Sequence, residues 1–124
     1  MNVMPLTEAN FDKIVSENET VLVDFWAEWC GPCRAFSEVF EAVALKYSDI
    51  IFATVDIQAE PKLAEDFVVG TIPMLVIFRG GIVVYAGSGA LSQAALEEVI
   101  HKAKALDLKE IYEKTMQQSG PELA

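Results

Sequence analysis

The stretch Trp29-Cys30-Gly31-Pro32-Cys33 constrains this chain more than any other. Its two cysteines are the only ones in 124 residues, and two residues separate them. Before them, Val21-Leu22-Val23-Asp24-Phe25-Trp26 is an apolar run with β-branched and aromatic residues, of a length that suits a buried strand. After them, Phe36, Val39, Phe40, Val43, Ala44 and Tyr47 recur at helical spacing. The sulfurs therefore sit where a strand hands over to a helix. Pro32 suits the first helical turn, with its φ preset and no N–H to leave unpaired. Cysteines at i and i+3 across that turn are near enough for a disulfide of ordinary geometry. Unpaired N–H groups and the helix dipole put partial positive charge beside Cys30, favouring the thiolate, which is the nucleophile of disulfide exchange. Cys33, one turn into the helix, is expected to be more buried and suits the second step, attack on the mixed disulfide formed by Cys30. An inert staple is the plain alternative, but a crosslink closing so small a loop removes little chain entropy. A metal centre needs four ligands, and the chain offers two cysteines and the distant His101, so a cluster would have to be shared between two chains. The context favours redox chemistry through the Cys30–Cys33 pair, with no metal site and no bound cofactor.

The rest of the chain alternates strand and helix signals. Pro5 permits at most an edge strand. Thr7 is placed to cap a helix through Phe11, Ile14 and Val15. Ser48-Asp49 ends the cysteine helix, and Ile50-Ile51-Phe52-Ala53-Thr54-Val55 is a second buried strand. Pro61 suits the start of a short helix through Leu63, Ala64 and Phe67. Two apolar runs, Met74 to Phe78 and Ile82 to Tyr85, flank Gly80-Gly81, a strong hairpin signal. Ser92 can cap a helix that turns Leu96, Val99, Ile100 and Ala103 inward. That helix is expected to continue to about Gln117, where Ser119-Gly120-Pro121 stops it, since Ala105 to Gln117 contains no glycine or proline. Leu108, Ile111, Tyr112 and Met116 give the extension an apolar patch, expected to fold back on its own domain rather than to dock or dimerise. His101 reads as a solvated residue on the same helix.

These elements imply an α/β fold, a mixed sheet with helices on both faces. The length fits one domain with one substantial core. The formal net charge of −10 argues against nucleic acid or anionic membrane as a partner. No apolar run approaches a membrane span. The N-terminus does not read as a signal peptide, and two cysteines in a catalytic arrangement then suggest a cytoplasmic, reducing setting.

The segment Asp24-Phe25-Trp26-Ala27-Glu28-Trp29-Cys30-Gly31-Pro32-Cys33-Arg34 resembles the active-site segment of the thioredoxin family, far beyond a bare C-x-x-C. Ile72-Pro73 resembles the family's cis-proline loop. Phe78-Arg79-Gly80-Gly81 and Gly89-Ala90-Leu91-Ser92 resemble its hairpin and the turn into its last helix. The resemblance covers about residues 5 to 105. It implies the thioredoxin fold over residues 1–106, with 107–124 as a C-terminal helical extension and tail. It also implies a reductant of protein disulfides, whose dithiol is regenerated by thioredoxin reductase at the expense of NADPH, so that NADPH is used only indirectly. A monomer is expected, a weak dimer being the alternative. The competing reading is a binding subunit on a thioredoxin scaffold whose redox activity is incidental.

The resemblance also assigns supporting roles. Asp24, an acid in an apolar strand, would lie behind Cys33 and exchange a proton with it through water; the plain alternative is a charge at a sheet edge facing water. Pro73 would be cis, turning backbone near Thr71 and Ile72 outward so that a substrate segment can pair as an added strand; the alternative is a trans proline starting a strand. Trp29 and Ile72 would supply apolar contact around Cys30, with Gly31 and Pro32 beside it, and Gly89 would let a substrate backbone come close. Trp26 reads as core or a packing wall. Four departures from the family pattern stand out. Residues 50 to 57 lack the lysine usual near the buried aspartate, Phe52 standing about there. No proline lies near Glu38 in the cysteine helix. Met74 follows Pro73 where threonine is usual. Leu106 to Ala124 runs beyond the usual chain end.

Overall fold

The structure, a computed structural model, describes residues 2–123. Strand β1 (Val3–Pro5) is followed by helix α1 (Phe11–Glu17), β2 (Thr20–Trp26), α2 (Gly31–Ala44), β3 (Ile51–Asp56), α3 (Pro61–Asp66), β4 (Met74–Arg79), β5 (Ile82–Ser88), α4 (Gln93–Ala105) and α5 (Leu108–Leu123). The five strands form one sheet in the order β1-β3-β2-β4-β5. β3 runs parallel to β1 and β2, while β4 is antiparallel to β2 and β5.

β2 lies at the centre, and both its faces are covered. Leu22 points into a core with Phe36, Phe40 and Val43 of α2 and Leu96 and Ile100 of α4. Val21, Val23 and Phe25 point the other way, toward Phe11 and Val15 of α1 and Leu63 of α3. Alternating side chains that are all buried make the strand an unbroken apolar run rather than an apolar–polar alternation. Pro5, which has no N–H to offer a neighbour on its open side, sits on the edge strand.

Several local signals hold. Pro61 occupies the first turn of α3, and the Ser92 side chain accepts from the Ala95 N–H at 3.2 Å to cap α4. Gly80 and Gly81 both take positive φ (58° and 80°), as a two-residue hairpin whose twist matches its strands requires.

Three expectations are corrected. The cap of α1 is Asn10, not Thr7; the Asn10 Oδ1 accepts from the Thr7 N–H at 2.7 Å, so the asparagine closes the turn that precedes the helix. The cysteine helix ends at Ala44, ahead of Ser48-Asp49. The last helix does not run on unbroken: α4 stops at Ala105, Leu106 turns to extended backbone (φ −68°, ψ 139°), and α5 starts afresh at Leu108. Two groups hold this break. Arg79 of β4, 5% exposed, donates to the carbonyl oxygens of Ala103 and Leu106, satisfying the end of α4. The Asp107 carboxylate accepts from the Lys109 N–H at 2.8 Å, opening α5. Asp107 followed three residues later by Glu110 is a helix-start signature legible in the sequence. Ser119-Gly120-Pro121 does not end α5, whose backbone runs to Leu123. The Tyr112 hydroxyl of α5 donates to the Gly80 carbonyl at 3.0 Å, so the helix folds back onto the β4–β5 turn.

Candidate active site

β2 delivers the chain to the site at Trp26, and α2 leaves it at Gly31. Cys30 is the N-cap of α2, with extended backbone (φ −93°, ψ 109°), and the Cys33 N–H points back at its sulfur, 3.2 Å away. This is an N-terminal helix donor aimed at the atom that would carry thiolate charge. Cys30 and Cys33 are joined in a disulfide with Cα atoms 5.3 Å apart. Cys30 is 5% exposed and Cys33 2%, a narrow margin in this oxidised state.

The loop before β4 forms the opposite wall. The Ile72–Pro73 peptide bond is cis. The Ile72 carbonyl oxygen lies 3.8 Å from Cys30 Sγ, and the Gly89 N–H donates to the Pro73 carbonyl at 2.8 Å. Gly89 takes φ +106°, a conformation that requires glycine. Ala27, Cys30 and Cys33 form a small buried cluster against which Trp26, Ile57 and Ile72 pack. Ile57 was not singled out from the sequence. It follows β3 directly, and its N–H donates to the Trp26 carbonyl at 3.0 Å; the signal was its place at a strand's carboxyl end, where sites of α/β sheets gather. Trp29 is 65% exposed beside Cys30, and Gly31, Pro32 and Thr71 are exposed as well. Met74, by contrast, is half-buried and packs against the core on the α1 and α3 side.

Asp24 lies on the same face of β2 as Leu22, beneath α2. It is 2% exposed, and its Oδ1 has no hydrogen-bond partner among the described residues. Burial pushes its carboxyl up from 3.8 to about 7, because the low-dielectric surroundings penalise the charged form. The neighbour of Asp24 on β3 is Thr54, not Phe52, which pairs with Leu22. The missing lysine position therefore carries a half-buried hydroxyl. Asp24, Thr54 and Cys33 together line a cleft of about 890 Å³ that opens beside α2. A carboxyl that titrates near neutrality, in a cleft shared with the inner cysteine, can take up or give a proton at that sulfur.

Among the described residues no group of three or more histidine, cysteine, aspartate or glutamate side chains is placed to hold a metal ion. None of the described helices is long and apolar enough to cross a membrane. His101 is exposed on α4, its Nε2 3.0 Å from the Tyr47 hydroxyl, and takes no part in the site.

Comparison with known proteins adds an independent observation. A family model described as Thioredoxin matches residues 2–102. A protein called putative thioredoxin 2 from Streptomyces coelicolor is 45% identical over 119 residues, covering 96% of this chain and 89% of that one. A bifunctional thioredoxin reductase/thioredoxin from Mycobacterium leprae is 40% identical over 93 residues, which make up 73% of this chain and 20% of that longer protein. A solved structure of Plasmodium falciparum thioredoxin superposes with a TM-score of 0.75 at 34% identity, covering 80% of this chain and 97% of that one.

Proposed function

The chain belongs to the thioredoxin family, and on that premise we propose how its residues divide the work. It is a thiol-disulfide oxidoreductase that reduces protein disulfides. In the reduced protein the Cys30 thiolate attacks one sulfur of a substrate disulfide, and the other substrate sulfur leaves as a thiolate that takes a proton from water. Cys33 passes its proton toward the Asp24 carboxylate and attacks Cys30 Sγ. The Cys30–substrate bond breaks, the second substrate sulfur leaves as a thiolate that takes up the proton Asp24 received, and the Cys30–Cys33 disulfide forms. Two electrons move from the dithiol to the substrate, and one proton is drawn from water.

The observation that carries this division is the Cys33 N–H aimed at Cys30 Sγ, which stabilises negative charge on the outer sulfur. Asp24 supports the second step, because its raised pKa lets it accept a thiol proton at neutral pH. The backbone at Thr71 and Ile72, set by Pro73, pairs with an extended substrate segment. Trp29, Gly31, Pro32 and Gly89 frame that segment. Residues 1–106 form the catalytic domain, and 107–124 are an appendage to it. The dithiol is restored by a thioredoxin reductase drawing on NADPH, a pairing supported by the relative that joins both activities in one chain. The protein works as a monomer in the cytoplasm.

The test is a trap. Cys33→Ser, incubated with a disulfide-bonded protein substrate, should accumulate a mixed disulfide through Cys30, and Cys30→Ser should accumulate none. Trapping by Cys30→Ser instead would reverse the assignment. An unshared, purely structural disulfide would trap nothing in either variant.

A further inference from the structure

The cleft behind the disulfide is larger than a proton path needs. Its volume of about 890 Å³ lies in the range of small-molecule sites. Phe40, Trp26 and Val3 give it apolar walls, and Asp24 lies at its base with Oδ1 unpartnered among the described residues. Exposed Glu28, Glu38 and Glu41 stand at its rim. Arg34 carries the only positive charge among the described lining residues, and its guanidinium donates to the Glu28 carbonyl at 3.0 Å. No lysine or arginine occurs from residue 50 to 57, the part of the chain that pairs with β2 beside Asp24.

We infer that this cleft binds a small organic ammonium ion, a primary amine with a short apolar tail, whose head pairs with the Asp24 carboxylate. The chemistry is selective at each level. A buried carboxylate without a partner gains more from a charge-assisted hydrogen bond than one in water. The glutamate rim attracts a cation and repels an anion. The apolar walls favour a carbon tail over an inorganic ion. The site does not depend on which cysteine attacks, so its failure would leave the reductase reading intact.

The experiment uses the oxidised full chain and follows the Asp24 carboxyl carbon and the Thr54 and Trp26 backbone amides by NMR. The probes are n-butylammonium, n-butanol and n-butyrate. The amine should saturate these signals and bind at least tenfold more tightly than the alcohol or the acid. Its affinity should rise about tenfold between about pH 6 and pH 8, as a carboxyl of pKa about 7 ionises. Asp24→Asn should lower the affinity tenfold or more and abolish that pH dependence. Glu41→Lys, on the rim, should weaken the amine several-fold while leaving amine-free disulfide reduction unchanged. A lysine side chain of a bound protein carries the same head and stem. Nα-acetyl-lysine methylamide therefore stands in for it: binding tighter than n-butylammonium assigns the site to a protein lysine, and weaker binding assigns it to a free amine. Equal binding of butanol, amine binding unchanged in Asp24→Asn, or no saturable shift at Asp24 would each overturn the inference.

Discussion

Replacing Asp24 by asparagine removes the single ionisable group of β2 while keeping its shape. Its carboxyl titrates at about 7 in the fold against 3.8 when free. Below about pH 4 both states hold the proton, and the carboxyl has no effect on how stability varies with pH. Between about pH 4 and 7 the unfolded chain releases the proton and the native one keeps it. The unfolded state then binds fewer protons, so stability falls as pH rises, by up to about 1.4 kcal/mol per pH unit. Above about pH 7 both states are ionised and the loss levels off at about 4 kcal/mol. Asparagine carries no charge to desolvate, although its own unpaired amide costs about 1 kcal/mol or more. The variant should therefore match or trail the parent at about pH 4 and exceed it by about 3 kcal/mol at about pH 8. Urea unfolding of both oxidised proteins at four pH values across this span measures the difference. The same substitution should slow the step in which Cys33 resolves the mixed disulfide. A stability difference that stays constant with pH would refute the burial argument, since an exposed carboxyl has nearly the same pKa in both states.

Iodoacetamide should modify Cys30 before Cys33 in the reduced protein, with mapping by mass spectrometry as the readout; faster labelling of Cys33 would contradict the helix N-terminal argument. Val68 takes φ +51°, a region a β-branched residue enters at a cost of about 1–2 kcal/mol, and it is 85% exposed, so it returns little burial. Val68→Gly should stabilise the protein by about 0.5–1 kcal/mol in chemical denaturation, after the entropy that glycine adds to the unfolded chain; a loss of stability would count against strain at this turn. Removing residues 107–124 takes away the Tyr112–Gly80 hydrogen bond and the packing of Ile111. The truncated chain should melt several degrees lower at unchanged monomer mass, whereas unchanged melting with loss of a dimer would show that α5 serves another surface.

Much of the site was legible without coordinates because its signals are local. Trp29 to Cys33 carries two thiols and a helix-starting proline within five residues. The apolar run of β2, the Gly80-Gly81 turn, Pro61 opening α3 and Ser92 capping α4 each depend on neighbours a few positions away. Side-chain period and backbone preference act at that range, so they can be read in order along the chain.

What the tertiary structure alone decided lies at longer range. That Thr54 rather than Phe52 stands beside Asp24 follows from the β2–β3 register, and shifting that register by one residue would have turned the other face of β3 to the carboxyl. Asp24 and Cys33 share a cleft because α2 packs over the face of β2 that also carries Leu22. The break between α4 and α5 is held by Arg79, which reaches it from β4, 24 residues before Ala103. Ile57 enters the site only because β3 runs parallel to β2 and ends at the same side of the sheet. Spacing along a chain reports which way an element faces; which elements meet depends on burying those faces against one another, and that free energy belongs to the whole fold.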